Sequence, residues 1–280
     1  MKHLALLLGT NLGNPETCLE QMLSKPLAKE QIEILASALT VGETYFFRET
    51  RSFEILSEQV LPQLIAARQG NERRLRIWSA GCCTGEEPYS IAISLDRILP
   101  KPSQWHITIL GTDINPHFLQ KAAAGVFGDW SFRDAPPRLK QEYFKQVGPH
   151  QFEILPRIKQ MVTFAYLNLA EDLYPSLCNN TNAMDLIFCR NVLMYFSAEM
   201  AKLSLLGIDI SGRISELPSI ISGDRVCIQQ PIASPGHRLR KLRRHIEGIA
   251  DRPSEDVRRH RVTSPKAKFS ISKGLIILRE

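Results

Sequence analysis

The chain has 280 residues, 44% hydrophobic and 23% charged, with 16 Gly and 17 Pro. A chain of that length buries roughly three quarters of its unfolded surface, and its composition excludes collagen-like, low-complexity and wholly disordered proteins. The net charge of +6 is unevenly spread, because residues 1–200 carry 19 basic against 21 acidic side chains and residues 201–280 carry 16 against 8.

The longest early apolar run, Leu4 to Leu8, is too short for a secretion signal and far from the ~20 residues of a membrane span. A cytoplasmic protein without a transmembrane segment is expected. Six cysteines form neither a dense disulfide framework nor a C-x-x-C pair, so reduced thiols and no bound metal are expected. Leu19, Met22 and Leu23, then Ile32, Leu35, Ala36 and Leu39, recur at helical spacing with Pro26 between them, which predicts two short amphipathic helices. Phe53, Leu56, Val60, Leu61 and Leu64 continue the helical pattern. The polar stretch 69–74 then closes a helical lobe over 1–70.

From residue 71 short strands alternate with helices: strand 75–80, helix 88–99, strand 106–114, helix 116–124. Alternation of this kind implies βαβ units and a parallel sheet. Apolar runs at 161–169 and 184–189 read as buried strands that deliver residues to the carboxyl edge of the sheet, where open α/β sheets bind ligands. Residues 126–160, with Gly128, Pro136, Pro137, Gly148 and Pro149, read as a small inserted subdomain. The domain at 71–200 is followed by a basic region, 201–280, whose Arg238-Leu-Arg-Lys-Leu-Arg-Arg244 stretch suits phosphates or an acidic membrane as well as a plain solvated face.

Strand 75–80 runs into Gly81-Cys-Cys-Thr-Gly85 and then Glu86-Glu87-Pro88. Two glycines four apart at a strand-to-helix turn permit positive φ and close approach of a ligand to the backbone. The loop lacks both G-x-G-x-x-G and a Gly-Lys-Ser/Thr ending. Glu86 and Glu87 also place negative charge where a phosphate would sit on the helix N-terminus. A neutral or cationic ligand is expected instead. The competing use of Glu87 is a capping box with Thr84, against which Pro88 counts because proline fits best at the first helical position. Asp113 ends the second strand in Gly-Thr-Asp-Ile-Asn-Pro, placed to accept hydrogen bonds from ribose hydroxyls or to cap the next helix. S-adenosylmethionine, an adenosine bearing an ammonium and a sulfonium, suits both acidic positions.

Five segments in this order, TYFFRE from Thr44, RIWSAGCCTGEEPYSIAI from Arg76, GTDINP from Gly111, LNL from Leu167 and DLIFCRNVLMYF from Asp185, resemble the chemotaxis receptor methyltransferase (CheR) family. The resemblance covers about residues 16–197. It implies an α/β, Rossmann-like S-adenosylmethionine-dependent methyltransferase sheet with a short N-terminal helical lobe and a small inserted β-subdomain. It further implies methyl transfer to glutamate side chains in the cytoplasmic helical region of a methyl-accepting chemotaxis receptor, giving a methyl ester.

The resemblance also implies site roles. Thr44 and Arg48 reach over cofactor and substrate; Gly81, Gly85, Glu87 and Asp113 hold the cofactor; Asn168, Leu169, Arg190 and Asn191 line its adenine and methionine sides; Tyr195 flanks the methyl. Arg48 and Tyr195 are the implied catalytic pair, whereas Phe46, Phe47, Cys82, Cys83 and Cys189 read as packing. A glutamate carboxylate is ionised at neutral pH, so attack on the methyl requires alignment more than a base.

The family begins with a longer helical domain, whereas 43 residues precede Thr44 here. The segment 151–164 resembles the family's β-subdomain without an extra glycine-rich insertion, so tethered recruitment is not expected. Beyond Ser197 the resemblance stops. Strand-like runs remain only at 225–229 and at 269–278, the latter broken at Lys273-Gly274, and the expectation is a sheet lacking its last strands, with the fourth left as an apolar edge. A frameshift or recombination near residue 200 accounts for the break together with the jump in basic charge, and a divergent lineage is the milder explanation. Two alternatives compete with receptor methylation. One is a cofactor-binding homologue impaired by its aberrant C-terminal region. The other is a nucleic-acid methyltransferase, which Asn191-Val-Leu-Met suits poorly because base-amino methylation calls for a Pro-Pro-aromatic loop there.

Overall fold

The computed structural model describes residues 28–40, 42–69, 73–171, 174–192, 196, 226–229, 268–272 and 275–279. The apolar run at Leu4, the helix expected around Leu19, Tyr195 and the arginine-rich stretch after Arg238 lie outside the described residues. The chain divides into two compact units, which meet in sequence at Leu169 and Ala170.

In the first unit, helix α1 (Lys29–Leu39) is entered with Gln31 Oε1 accepting the Ala28 N–H at 3.0 Å. It covers the apolar positions Ile32, Leu35, Ala36 and Leu39. The pattern from Phe53 to Leu64 is interrupted by a change of helical pitch: α2 (Thr50–Ile55) passes into a π turn at Leu56–Val60 before α3 (Leu61–Arg68). Pro62 explains the switch, since it has no N–H to return to Glu58 in an α-helical ladder.

Strand β1 (Arg74–Ala80) leads to α4 (Glu86–Ile98), and β2 (His106–Asp113) leads to α5 (Pro116–Ala124). A three-stranded antiparallel sheet follows, built from β3 (Val126–Gly128), β4 (Phe144–Gly148) and β5 (Gln151–Ile154) in the order β3-β5-β4. The short helix α6 (Leu139–Tyr143) precedes β4, and α7 (Pro156–Lys159) leads into β6 (Val162–Tyr166). β1 and β6 flank β2, both parallel to it, as the βαβ alternation predicts. Leu75, Ile77, Trp78 and Ala80 of β1 are all fully buried, as expected of a strand covered on both faces. The Trp78 indole N–H is satisfied by Thr112 Oγ1 at 2.9 Å.

Residue 164, which falls both in the apolar run 161–169 and in the stretch 151–164 that resembles the family's subdomain, belongs to β6, where Phe164 pairs in register with Gly111. The subdomain strands end at Ile154, and Pro156, which cannot donate to a ladder, starts the helix that separates them from β6.

In the second unit, β7 (Leu186–Cys189), β8 (Val226–Gln229), β9 (Lys268–Ser272) and β10 (Leu275–Arg279) lie in the order β7-β8-β10-β9. This corrects the expectation of missing strands. β8 runs parallel to β7, with Leu186 opposite Val226, and β10 runs parallel to β8. β9 joins β10 antiparallel, with Leu275 opposite Ser272, so the break at Lys273-Gly274 falls between two paired strands. Among the described residues no helix is long and apolar enough to cross a membrane.

Candidate functional site

The carboxyl ends of β1, β2 and β6 come level in the first unit, since Ala80 is opposite Thr112 and Asp113 is opposite Tyr166. Three sequence-predicted groups therefore share one sheet edge: the loop after Ala80, Asp113 itself, and Asn168 with Leu169 just beyond β6. The Leu167 N–H donates to the Asp113 carbonyl at 3.2 Å, which ties that last segment to the end of β2.

The loop bends back on the strand end. Gly81 and Gly85 have φ of 77° and 97°, with Cys83 left-handed between them at 51°. Only glycine suits position 85, because a Cβ there would also stand 2.9 Å from the Ala122 Cβ. The N–H groups of Gly81 and Cys82 both donate to the Thr112 carbonyl, at 2.7 and 2.8 Å, and Gly85 donates to Cys82. Cys83 donates to Asp113 Oδ2 at 2.8 Å. Four of the loop's amides, those of Gly81, Cys82, Cys83 and Gly85, are thus used within the loop and the adjoining strand end.

Asp113 is 8% exposed. Its Oδ1 accepts the Asn115 N–H at 2.9 Å, so each carboxylate oxygen is held by one backbone donor and keeps lone-pair capacity for another. Burial raises its pKa above the ordinary aspartate value, against the lowering effect of those backbone bonds. Asp113 is not the helix cap. Asn115 Oδ1 accepts the N–H groups of His117 and Phe118, and its amide donates to Thr40 Oγ1 at 2.8 Å, joining the end of α1 to the start of α5.

The first turn of α4 resolves the competing readings of its two glutamates. No capping box forms: Gly85 is the cap residue and carries no side-chain cap bond, while Glu87 Oε1 accepts the Ser79 hydroxyl at 2.7 Å. Pro88 stands at the third helical position, not the first, at no cost, since an N–H there is still one of the unpaired four. Glu86, 3% exposed, accepts the hydroxyls of Thr84 at 2.7 Å and Ser131 at 2.8 Å, and burial raises its pKa despite those bonds. No local pattern marks Glu86 for this role, because Ser131 is 45 residues away. Asn115 did carry a signal, since Asn before Pro is a helix-start pattern.

The Thr44–Arg48 segment is seated beside that same turn. The Phe46 N–H donates to the Ser131 carbonyl at 2.8 Å, and the Phe47 N–H to Ser90 Oγ at 3.0 Å, one turn along α4 from Glu86. The Phe46 ring, fully buried, lies 4.9 to 5.0 Å from those of Phe127, Phe132 and Phe144. Phe46 and Phe47 are therefore packing residues, and Arg48 stays half-buried between two left-handed neighbours, Phe47 at φ 57° and Glu49 at 59°. Such conformations in bulky residues cost on the order of 1–3 kcal/mol each and persist only where the surroundings hold them. Arg48 donates to the Glu43 carbonyl.

Cys82 is buried and its thiol pKa lies well above the usual value. Cys83 is pushed to about 12, chiefly by burial and then by the charges of Glu86 and Asp113. Neither thiol is an activated nucleophile. In the second unit, Arg190, 4% exposed, and Asn191, left-handed at φ 58°, follow directly on β7, whose four residues are fully buried.

Residues 42–208 match the family model described as CheR methyltransferase, SAM binding domain. The chain is 40% identical over 180 residues to chemotaxis protein methyltransferase 1 of Pseudomonas aeruginosa, covering 63% of this chain and 63% of that protein. Against chemotaxis protein methyltransferase 2 of Vibrio cholerae it is 40% identical over 167 residues, 60% of this chain and 56% of the relative. Against the chemotaxis protein methyltransferase of Borreliella burgdorferi it is 36% identical over 176 residues, 62% and 61%. The chain thus spans less than two thirds of the length of these relatives. The family model takes in more than half of its residues, including every sequence-predicted site position, and on that match the chain belongs to the CheR methyltransferase family.

Proposed function

We propose that the protein transfers a methyl group from S-adenosylmethionine to glutamate side chains of a methyl-accepting chemotaxis receptor, giving methyl esters. The observation that carries this reading is the pair of carboxylates, Asp113 and Glu87, at one end of the sheet beside the Gly81–Gly85 turn. The residues present fit the cofactor. Asp113 has acceptor capacity for ribose hydroxyls, and Glu87 offers a charge partner for an ammonium. Asn168, Leu169, Arg190 and Asn191 line the adenine and methionine portions in this reading, and Thr44 contributes from above.

When bound, S-adenosylmethionine supplies an electrophilic methyl on a sulfonium. The chain's own task is orientation. The Arg48 guanidinium presents parallel N–H donors to an acceptor carboxylate, fixing its lone pair without removing a proton, and Tyr195 is the second catalytic group. The nucleophile is already ionised at neutral pH, so no side chain here has to act as a base.

The test is incubation of the protein with a purified receptor and donor labelled in the methyl group. Label released as methanol by mild base is the expected result, and Arg48→Ala lowers turnover at least about tenfold with little change in affinity for the demethylated cofactor. Label resistant to mild base would assign the transfer to nitrogen and overturn the proposal, as would saturable cofactor binding with no transfer to any of a panel of receptors.

A further inference from the structure

Arg133 lies at the end of the 3₁₀ turn Asp129–Phe132 in the inserted subdomain, far in sequence from the site. Its guanidinium makes contacts of three kinds. Nη1 donates to the Trp130 carbonyl at 2.8 Å and to the Thr44 carbonyl at 3.4 Å, and Nη2 pairs with Glu43 Oε1 at 2.5 Å. The guanidinium carbon also stands 3.8 Å from the Tyr45 ring centroid and 4.4 Å from that of Trp130. One side chain, 17% exposed, thereby touches Glu43, Thr44 and Tyr45 in succession.

Those three residues lead directly to Arg48. Glu43 is held by both guanidinium groups, its carboxylate by Arg133 and its carbonyl by Arg48. The left-handed conformations of Phe47 and Glu49 on either side of Arg48 need an external constraint to persist. Buried hydrogen bonds constrain Phe46 and Phe47, whereas the 43–45 stretch has Arg133. We propose that Arg133 is a positioning residue for methyl transfer, a clamp that holds the 43–45 backbone and, through Glu43, sets where the Arg48 guanidinium stands. The proposal rests on the function proposed above for the role of Arg48.

A planar guanidinium can bridge a carboxylate and two carbonyls while lying against two rings, and an ammonium cannot. The test compares the full chain with Arg133→Gln, Arg133→Lys, Arg48→Ala and the Arg48→Ala/Arg133→Gln double variant. Backbone hydrogen exchange, affinity for the demethylated cofactor and single-turnover methyl transfer are read for each. The expected result for Arg133→Gln is exchange accelerated about tenfold in peptides covering 43–48 and little changed elsewhere. Cofactor affinity stays within about twofold and transfer slows roughly 30-fold, with no rescue by lysine. The double variant is no slower than Arg48→Ala alone, within about twofold, because both substitutions remove one device.

Unchanged exchange at 43–48, full rescue by lysine, or losses that multiply in the double variant would each overturn the clamp. Should Arg133→Gln loosen the whole subdomain, Glu43→Ala decides, since it removes the ion pair at a side chain that is 53% exposed. Faster exchange confined to 43–48 supports the proposal, and unaltered exchange refutes it. A wild-type protein that transfers no methyl sinks the functional reading, and the exchange pattern then decides the clamp by itself.

Discussion

Asp113 receives two backbone N–H groups and retains acceptor capacity toward the sheet edge. Asp113→Ala removes that capacity and leaves the Cys83 and Asn115 donors without their acceptor, at a cost of about 1–3 kcal/mol. Affinity for the demethylated cofactor is therefore expected to fall at least about tenfold by calorimetry; unchanged affinity would take Asp113 out of the site. Glu86 sets a pH dependence of stability. Its folded pKa is raised by burial above the unfolded value of about 4.3, so its contribution is fully present below the unfolded value and is lost as pH rises through the folded one. The Tm of wild type minus that of Glu86→Gln should accordingly be most favourable to wild type in acid and shrink as pH rises from about 4.3. A constant difference over that window would show that Glu86 titrates as it does unfolded.

The ends of α1 and α5 meet at a single asparagine. Asn115 caps α5 through its oxygen and reaches Thr40 through its nitrogen, so Asn115→Ala loses both functions, whereas Thr40→Val keeps the cap and loses the Asn115 bond together with the Thr40 hydroxyl's bond to the Ala36 carbonyl. Denaturant midpoints are expected to fall by the equivalent of about 1–2 kcal/mol for the first and by less for the second. An Asn115→Ala midpoint equal to that of wild type would mean that the cap contributes nothing. At α4 the two adjacent glutamates have different partners because a helix turns about 100° per residue: Glu87 meets Ser79 of β1 and Glu86 meets Ser131 of the inserted subdomain. Placing Ser131 between Glu86 and Phe46 ties the subdomain to the start of α4 and to the segment that carries Arg48.

Over the whole molecule, the last 80 residues differ from the rest in charge yet supply strands. β8 covers one edge of β7 in register, and Leu186, Ile187, Phe188 and Cys189 are buried. A chain ended at residue 200 would expose that edge and is expected to aggregate, read as loss of soluble protein and a rise in light scattering relative to the full chain. A soluble, monodisperse truncated chain would show that β7 does not need β8.

The local pattern of the sequence by itself determined the βαβ alternation, the ends of β1 and β2, the helix from Pro116 to Ala124 and the unusual backbone of the Gly81–Gly85 loop, because hydrophobic period, proline and glycine act within a few residues. The acidic character of the sheet edge was legible for the same reason: Glu87 and Asp113 each stand at a strand-to-helix junction that pattern alone locates. Only the tertiary structure decided which glutamate faces the sheet and which the subdomain, and that β8 and β10 complete the pairing after β7. Each of these depends on contacts between residues tens of positions apart, which carry no local periodicity, and the Arg133 clamp on residues 43–45 spans about 90 positions in the same way. Hydrogen-bond partners and ring contacts of that kind exist only once the sheet has brought distant segments together.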